Sequence, residues 1–250
     1  MKVALFGGTF DPVHLGHLAV ARAAAERFDL GRIYFVPAEV PPHKQEKKVT
    51  DFQHRFAMLA LATADEPRFV PSLLEAQSSE PNYSIQTVRR LKNELRKTDK
   101  LYFLIGIDAF KEISIWRHPV ELLAQCDFIV ASRPGHSVAD VGEALPEALR
   151  PSAAILRALR QGHGDNAITL PSTTIHLLTD VSKRVSSTQI RAAANKSVKQ
   201  LSRYVPRAVA EYIKKERLYM GEDKFAQRAE DTALPQAKVL SFRGARVQER

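Results

Sequence analysis

The chain holds one cysteine, Cys126, in 250 residues. That excludes an intrachain disulfide and suits a reducing compartment. No apolar run approaches the roughly twenty residues that a bilayer-spanning helix needs. The first apolar stretch is only a few residues long before it meets a glycine pair, so no secretory leader is expected. The chain therefore reads as soluble and cytoplasmic, with no membrane partner. Tryptophan occurs once, at Trp116. Lys and Arg outnumber Asp and Glu by 37 to 28, giving a net charge of +9. The positive residues are scattered along 89–100, 183–184 and 196–217 with few aromatics between them. A nucleic-acid groove interleaves the two, so nucleic acid is an unlikely partner, and the field favours anionic small substrates instead.

With 44% hydrophobic residues, the chain can bury one sizeable α/β core in one domain or at most two. Strand-like segments at 2–6, 33–37, 69–71, 101–107, 128–132 and 174–178 alternate with helix-like ones at 16–28, 52–64, 84–95, 120–125, 187–195 and 207–217. Such alternation predicts a Rossmann-like, doubly wound parallel sheet with helices on both faces and a small helical part at the C-terminal end. The main domain is expected over 1–221. Residues 134–173, rich in Ala, Leu, Pro, Gly and Arg with one helix-like stretch at 153–161, read as an insertion or surface excursion. Residues 222–250 mix both charges around Pro235, lose periodicity and are expected to form a flexible tail. No internal repeat is visible.

The most informative stretch runs Gly7-Gly8-Thr9-Phe10-Asp11-Pro12-Val13-His14-Leu15-Gly16-His17. A buried strand turns through glycines into a helix carrying two histidines. Glycines allow close backbone approach, and a helix N-terminus offers unpaired N–H groups to an anion. His14 and His17, three apart, share one face of the first turn. As zinc ligands they lack an evident third partner, so no protein metal site is expected. Far along the chain, Ser186-Ser187-Thr188-Gln189-Ile190-Arg191 reads as a capping sequence from which an arginine reaches back over the helix mouth. Taken alone this is an ordinary cap. Paired with the first motif it makes a clamp suited to a triphosphate.

Nucleotidyl transfer from ATP to another phosphate needs no strong base, because the attacking oxygen is already anionic. It needs positioning and charge stabilisation. His14 and His17 would donate to the α-phosphate. Arg191, Ser187, Thr188 and Mg²⁺, held mainly by the ATP phosphates, would hold the departing pyrophosphate. The strand ending at Gly106, with Asp108 beyond it, reaches the crevice edge where an acidic side chain commonly accepts from a ribose hydroxyl. Arg133, after the next strand, stands at the same edge, near adenine, near a phosphate or in solvent.

The string from Gly8 to His17, with the Ser-Ser-Thr-x-Ile-Arg element, resembles the H-x-G-H nucleotidyltransferase superfamily. The resemblance implies that Gly7, Gly8, Thr9, Phe10 and Gly16 form the ATP loop and that His14, His17 and Arg191 are catalytic. Several features are similar to the nicotinate mononucleotide branch. They are the Pro41-Pro42-His43-Lys44 loop, whose Lys44 would reach phosphates, an Ile-Gly-x-Asp-Ala strand end followed by Trp116, and Tyr83-Ser84-Ile85-Gln86-Thr87. By that resemblance Trp116 stacks on the pyridine ring, and Tyr83 and Thr87 receive the acceptor's carboxylate. Gln86 stands where an acidic residue is common, and no dedicated arginine for the carboxylate is evident. The implied reaction joins ATP and nicotinate mononucleotide into deamido-NAD and pyrophosphate. The alternatives left open are a phosphopantetheine adenylyltransferase, a non-catalytic nucleotide-binding regulator, and nicotinamide in place of nicotinate. A homo-oligomer is equally open.

Overall fold

The structure, a computed structural model, describes residues 1–39, 49–76, 82–132, 135–162, 166–179 and 185–220. Within them the elements run β1 (Lys2–Gly8), α1 (Leu15–Phe28), β2 (Arg32–Pro37), α2 (Phe52–Thr63), β3 (Phe69–Pro71), α3 (Ser84–Glu94), β4 (Lys100–Gly106) and α4 (Ile107–Phe110). There follow α5 (Pro119–Leu123), β5 (Asp127–Ala131), α6 (Val138–Ala144), α7 (Ala153–Arg160), β6 (Ala167–Thr169), β7 (Thr174–Leu178), α8 (Ser187–Ala192), α9 (Val198–Leu201) and α10 (Arg207–Lys215).

The central strands are apolar on both sides, and their side chains alternate between two cores, as a sheet buried on both faces requires. Ala4 and Phe6 of β1, Ile33 and Phe35 of β2, and Tyr102 and Leu104 of β4 enter the core under α1, α2, α8, α9 and α10. Val3 and Leu5, Val36, and Leu101, Phe103 and Ile105 enter the core under α3 to α6. The strand order is β3-β2-β1-β4-β5-β7-β6. All neighbours are parallel except β6, which pairs antiparallel with β7. This is the doubly wound, Rossmann-like arrangement. The chain order reverses between β1 and β4, and such a switch point leaves a crevice at the carboxyl ends of the two strands. Gly7, Gly8 and Gly106 all lie at that end.

Two strand expectations need correction. The strand expected over 101–107 stops at Gly106, which takes N-cap geometry (φ −75°, ψ 148°), so Ile107 opens α4 instead. Edge strand β6 was not expected: it is three residues long and carries one fully buried apolar residue, Ile168, too little for a periodic signal. It belongs to the segment 134–173, whose described residues also form α6 and α7. Val138, Val141, Leu145 and Ile168 are buried against the sheet. The tail at 222–250 lies outside the described residues, as do Lys44 and Arg133.

One charged side chain is built into the core beneath the crevice. Arg55 on α2 is 1% exposed. Its guanidinium donates to the carbonyls of Thr50 (2.7 Å), Thr9 (2.9 Å), Ala38 (2.7 Å) and Glu39 (3.3 Å). Burial lowers its pKa; the nearby Asp11, Tyr219, Glu39 and Asp51 partly offset this. Each buried carbonyl left without a donor costs about 1–3 kcal/mol. Arg55→Leu is therefore expected to remove about 4 kcal/mol or more, lowering the melting temperature by roughly 10 °C in a circular-dichroism melt. Arg55→Lys should recover little, since an ammonium lacks the planar fork. A shift of only about a degree in Arg55→Leu would show that the guanidinium holds nothing together.

Candidate active site

The loop after β1 is shaped by a close aromatic contact. Phe10 has φ of 47°, in the left-handed region that non-glycine residues seldom adopt. Its ring lies so near Gly8 that a Cβ there would meet ring carbons at 3.1 Å, so any larger residue at position 8 would push the ring aside by a few tenths of an ångström. The ring also makes edge contact with Phe6 (5.6 Å) and His17 (5.0 Å). This nest of rings seats His17 at the mouth of α1.

His14 is the N-cap of α1 and His17 its third residue, and each caps the other. The His17 backbone N–H donates to His14 Nδ1 and the His14 N–H donates to His17 Nδ1, both at 3.3 Å. The rings stack at 3.6 Å. Burial, followed by the neighbouring His14, holds the His17 pKa well below the usual histidine value. An Nδ1 that accepts carries no proton. His17 is thus a neutral imidazole that keeps its proton on Nε2, as a donor for an external acceptor. The expectation of bare amides at this helix end is corrected for two of its first three residues. The Leu15 N–H donates to the Tyr204 carbonyl (2.9 Å), and the His17 N–H is taken by His14. The helix mouth offers imidazole donors where unpaired amides were expected. Gly16 is buried in the same turn.

The Ser-Ser-Thr-x-Ile-Arg segment meets this loop as anticipated, though partly as a brace. Ser187 Oγ donates to the Pro12 carbonyl (3.0 Å), and Arg191 Nη1 donates to the Asp11 carbonyl (2.6 Å) while its Nη2 donates to Thr188 Oγ1 (3.2 Å). The Asp11 carboxylate, 7% exposed, accepts from the Tyr219 hydroxyl (2.7 Å) and from the Thr50 N–H (3.3 Å). Burial and Asp11 push the Tyr219 pKa up, so it stays a donor. Asp11 and Tyr219 were not assigned a role from the sequence. Tyr219, at φ 63°, follows α10 at the far end of the described chain, and nothing in its local pattern points to position 11.

A cavity of about 640 Å³ opens beside the loop, lined by Gly7, Gly8, Thr9, Glu75, Tyr83, Phe103, Trp116 and Arg117 among others. Tyr83 and Trp116 are therefore brought to the glycine loop, as the motif order predicts. Thr87 is not on the wall itself. It is buried behind it, where its hydroxyl donates to Glu75 Oε1 (2.5 Å). Arg117 stacks on the Tyr83 ring, 4.6 Å from its centroid. Gly106 ends β4 with open space where a Cβ would point. Asp108 is exposed in the first turn of α4. Glu75, Asn82 and Arg117 are site residues that the sequence did not reveal. Of these, only Arg117 carried a signal: it directly follows the single tryptophan.

A family model described as cytidylyltransferase-like matches residues 5–193, from the glycine loop through Arg191. The chain belongs to that cytidylyltransferase-like family. A "Probable nicotinate-nucleotide adenylyltransferase" of Thermoanaerobacter sp. (strain X514) is 36% identical over 226 residues, covering 90% of this chain and 97% of that protein. One of the same name from Geobacter sulfurreducens is 37% identical over 222 residues, covering 88% and 98%. The solved structure of Plasmodium falciparum nicotinic acid mononucleotide adenylyltransferase complexed with NaAD superposes with a TM-score of 0.63 over 87% of this chain and 97% of its own. At 19% identity that likeness speaks for the fold. Sequence relationship over nearly the full length places this cytidylyltransferase-like protein among the nicotinate-nucleotide adenylyltransferases.

The histidine pair of this family member makes a spectroscopic prediction. Nitrogen-15 correlation spectra of the ligand-free protein should show His17 as the Nε2–H tautomer at pH 7, still neutral well below pH 6.5. Because the unfolded state takes up that proton first, the contribution of His17 to stability falls as pH drops below about 6.5. Ordinary titration near 6.5 would contradict the capped, buried arrangement.

Proposed function

We propose that the protein transfers the adenylyl group of ATP to nicotinate mononucleotide, forming deamido-NAD and releasing pyrophosphate. The observation that carries this reading is the pair of histidines whose Nδ1 atoms are occupied by backbone amides. The two rings stand at the start of α1, directly after the glycine loop, and Gly7, Gly8 and Thr9 of that loop line a cavity walled by Tyr83 and Trp116. An oxygen of the acceptor phosphate attacks the α-phosphorus, the bond to the bridging oxygen breaks, and pyrophosphate departs with that bond's electrons. The attacking oxygen is anionic at neutral pH, so no base is needed. His14 and His17 hydrogen-bond the oxygens on which charge grows. Being neutral donors fixed in place before the reaction, they cost little reorganisation.

Arg191 and Thr188 stabilise the leaving pyrophosphate from α8, while Ser187 keeps the loop in register through Pro12. Gly7, Gly8, Thr9, Phe10 and Gly16 shape the triphosphate site, and Gly106 and Asp108 take the adenosine side. Lys44 for the phosphates, and Arg133 for adenine or a phosphate, are assigned on the resemblance alone, both lying outside the described residues. On the acceptor side Trp116 stacks on the pyridine ring, with Tyr83 and Thr87 near its carboxylate. The donors at the clamp are N–H and O–H groups, which suit phosphate oxygens and not a cation. Mg²⁺ would accordingly arrive bound to the ATP phosphates and neutralise the pyrophosphate. The catalytic unit is residues 1–221.

The test is pyrophosphate release from ATP and Mg²⁺ with nicotinate mononucleotide, nicotinamide mononucleotide or phosphopantetheine as acceptor. Release with nicotinate mononucleotide well above the other two is expected, and a preference for phosphopantetheine would overturn the acceptor assignment. His17→Ala should lower kcat by about two orders of magnitude or more, as when a transition-state donor is lost. Trp116→Ala should raise KM for the mononucleotide while leaving KM for ATP within about twofold, since stacking acts on the acceptor alone.

A further inference from the structure

Two buried polar atoms facing the same wall have nothing to bond. Glu75 is 7% exposed and lines the cavity, and its Oε2 has no hydrogen-bond partner. Trp116, on the same cavity, has its Nε1 buried and likewise without a partner. The other carboxyl oxygen of Glu75 accepts from Thr87 Oγ1 at 2.5 Å; among the described residues the other acceptor near that hydroxyl is the Tyr83 carbonyl, at 3.4 Å. A buried carboxylate with one short bond and one bare oxygen is an expensive object unless it can take a proton or meet a ligand.

We propose that Glu75 selects between the acid and amide forms of the pyridine mononucleotide, acting through the direction of its hydrogen bond with Thr87. The inference rests on the proposed reaction. A threonine hydroxyl has a single proton to give. When Glu75 is ionised, that proton is held by the carboxylate, and a negative charge sits on the wall of the cavity. A substrate carboxylate is then repelled, and the Thr87 hydroxyl has no proton to spare for it. A carboxamide carries no charge and brings N–H groups that an ionised carboxyl accepts. When Glu75 is protonated, its own O–H donates to Thr87 Oγ1, and the negative charge that repels an anionic 3-carboxylate is gone from the cavity wall. Glu75 is thus a positioning residue.

The surroundings leave this carboxyl free to change state near neutral pH. Arg90 on α3 spends its guanidinium on the Leu74 carbonyl (3.2 Å) and Asn82 Oδ1 (3.1 Å). Arg55 on α2 is committed to four carbonyls. Arg117 lies over Tyr83, Glu112 adds a further acid to the cavity wall, and the Glu39 backbone amide faces Glu75 from the end of β2. Among the described residues no cation forms an ion pair with Glu75. Burial therefore outweighs the help from Thr87 and Arg90, and the Glu75 pKa is pushed up to about 7.

The test compares kcat/KM for nicotinate mononucleotide with that for nicotinamide mononucleotide between about pH 6 and 8.5. Both carry the same 5′-phosphate, so its ionisation cancels in the ratio. In the wild type the acid-to-amide ratio is expected to fall roughly tenfold from pH 7 to 8.5, through KM more than kcat. In Glu75→Gln, whose amide donates to Thr87 Oγ1 at every pH, the ratio should be flat. Calorimetry in buffers of different ionisation enthalpy supplies a readout that needs neither turnover nor a variant. At pH 8 the wild type should take up a fraction of a proton on binding nicotinate mononucleotide and none on binding nicotinamide mononucleotide. A flat ratio in the wild type, an equal slope in Glu75→Gln, or binding without proton uptake overturns the role of Glu75 and leaves the reaction standing. Turnover with neither mononucleotide overturns the reaction, and this inference with it.

Discussion

The site depends on a guanidinium that never touches the proposed substrates. Arg55 lies beneath the crevice and donates to the carbonyls of Thr9, Ala38, Glu39 and Thr50. It thereby fixes the loops after β1 and β2 and the approach to α2 relative to one another. Backbone carbonyls that close a loop into the interior must find donors, and a planar group with five N–H bonds satisfies several from a single position. A charge placed there is costly to desolvate. Its neighbours Asp11, Glu39 and Asp51 return part of that cost through their field.

The histidine clamp follows the same logic at the crevice itself. Ordinarily the first amides of a helix are the anion-binding groups, because nothing within the helix accepts from them. In α1 those amides have been used internally, by the Tyr204 carbonyl and by His14. What they obtain in return is a defined tautomer on two imidazoles. Donors on side chains reach further from the backbone than amides do. The helix terminus thus acts at one remove, by setting which ring nitrogen carries the proton.

Much of this was legible because two physical signals were strong. Strands buried on both faces give unbroken apolar runs, and Val3 to Phe6 and Leu101 to Ile105 were read without difficulty. The order of motifs at strand ends predicts that Gly8, Tyr83 and Trp116 share one cavity and that Arg191 meets the loop before α1, and both contacts are found. Contacts made across long sequence separations were not legible. Glu75 gains its meaning from Thr87, and Asp11 from Tyr219, 208 positions away. Arg55 did leave a trace: it sits on the same helical face as Met58 and Leu59, all buried. A charge at an apolar position of an amphipathic helix is a place to look for waiting carbonyls. The boundary at Gly106 was missed for a different reason. An apolar residue such as Ile107 continues a strand or opens a helix with equal ease, and only the backbone angles of Gly106 decide.

The brace on Asp11 has a consequence for how the protein is made. Its carboxylate is held by Thr50 and Tyr219, and its carbonyl by Arg191. The last strand, by contrast, ends at Leu178. A ribosome that has released residue 178 into solution has supplied every strand found among the described residues and both histidines, yet the loop before α1 still lacks its fasteners Ser187, Arg191 and Tyr219. Vectorial synthesis therefore separates the scaffold from the working site in time. The core under α8, α9 and α10 and the full bracing of the loop after β1 are complete only when the far end of the chain folds back onto its beginning.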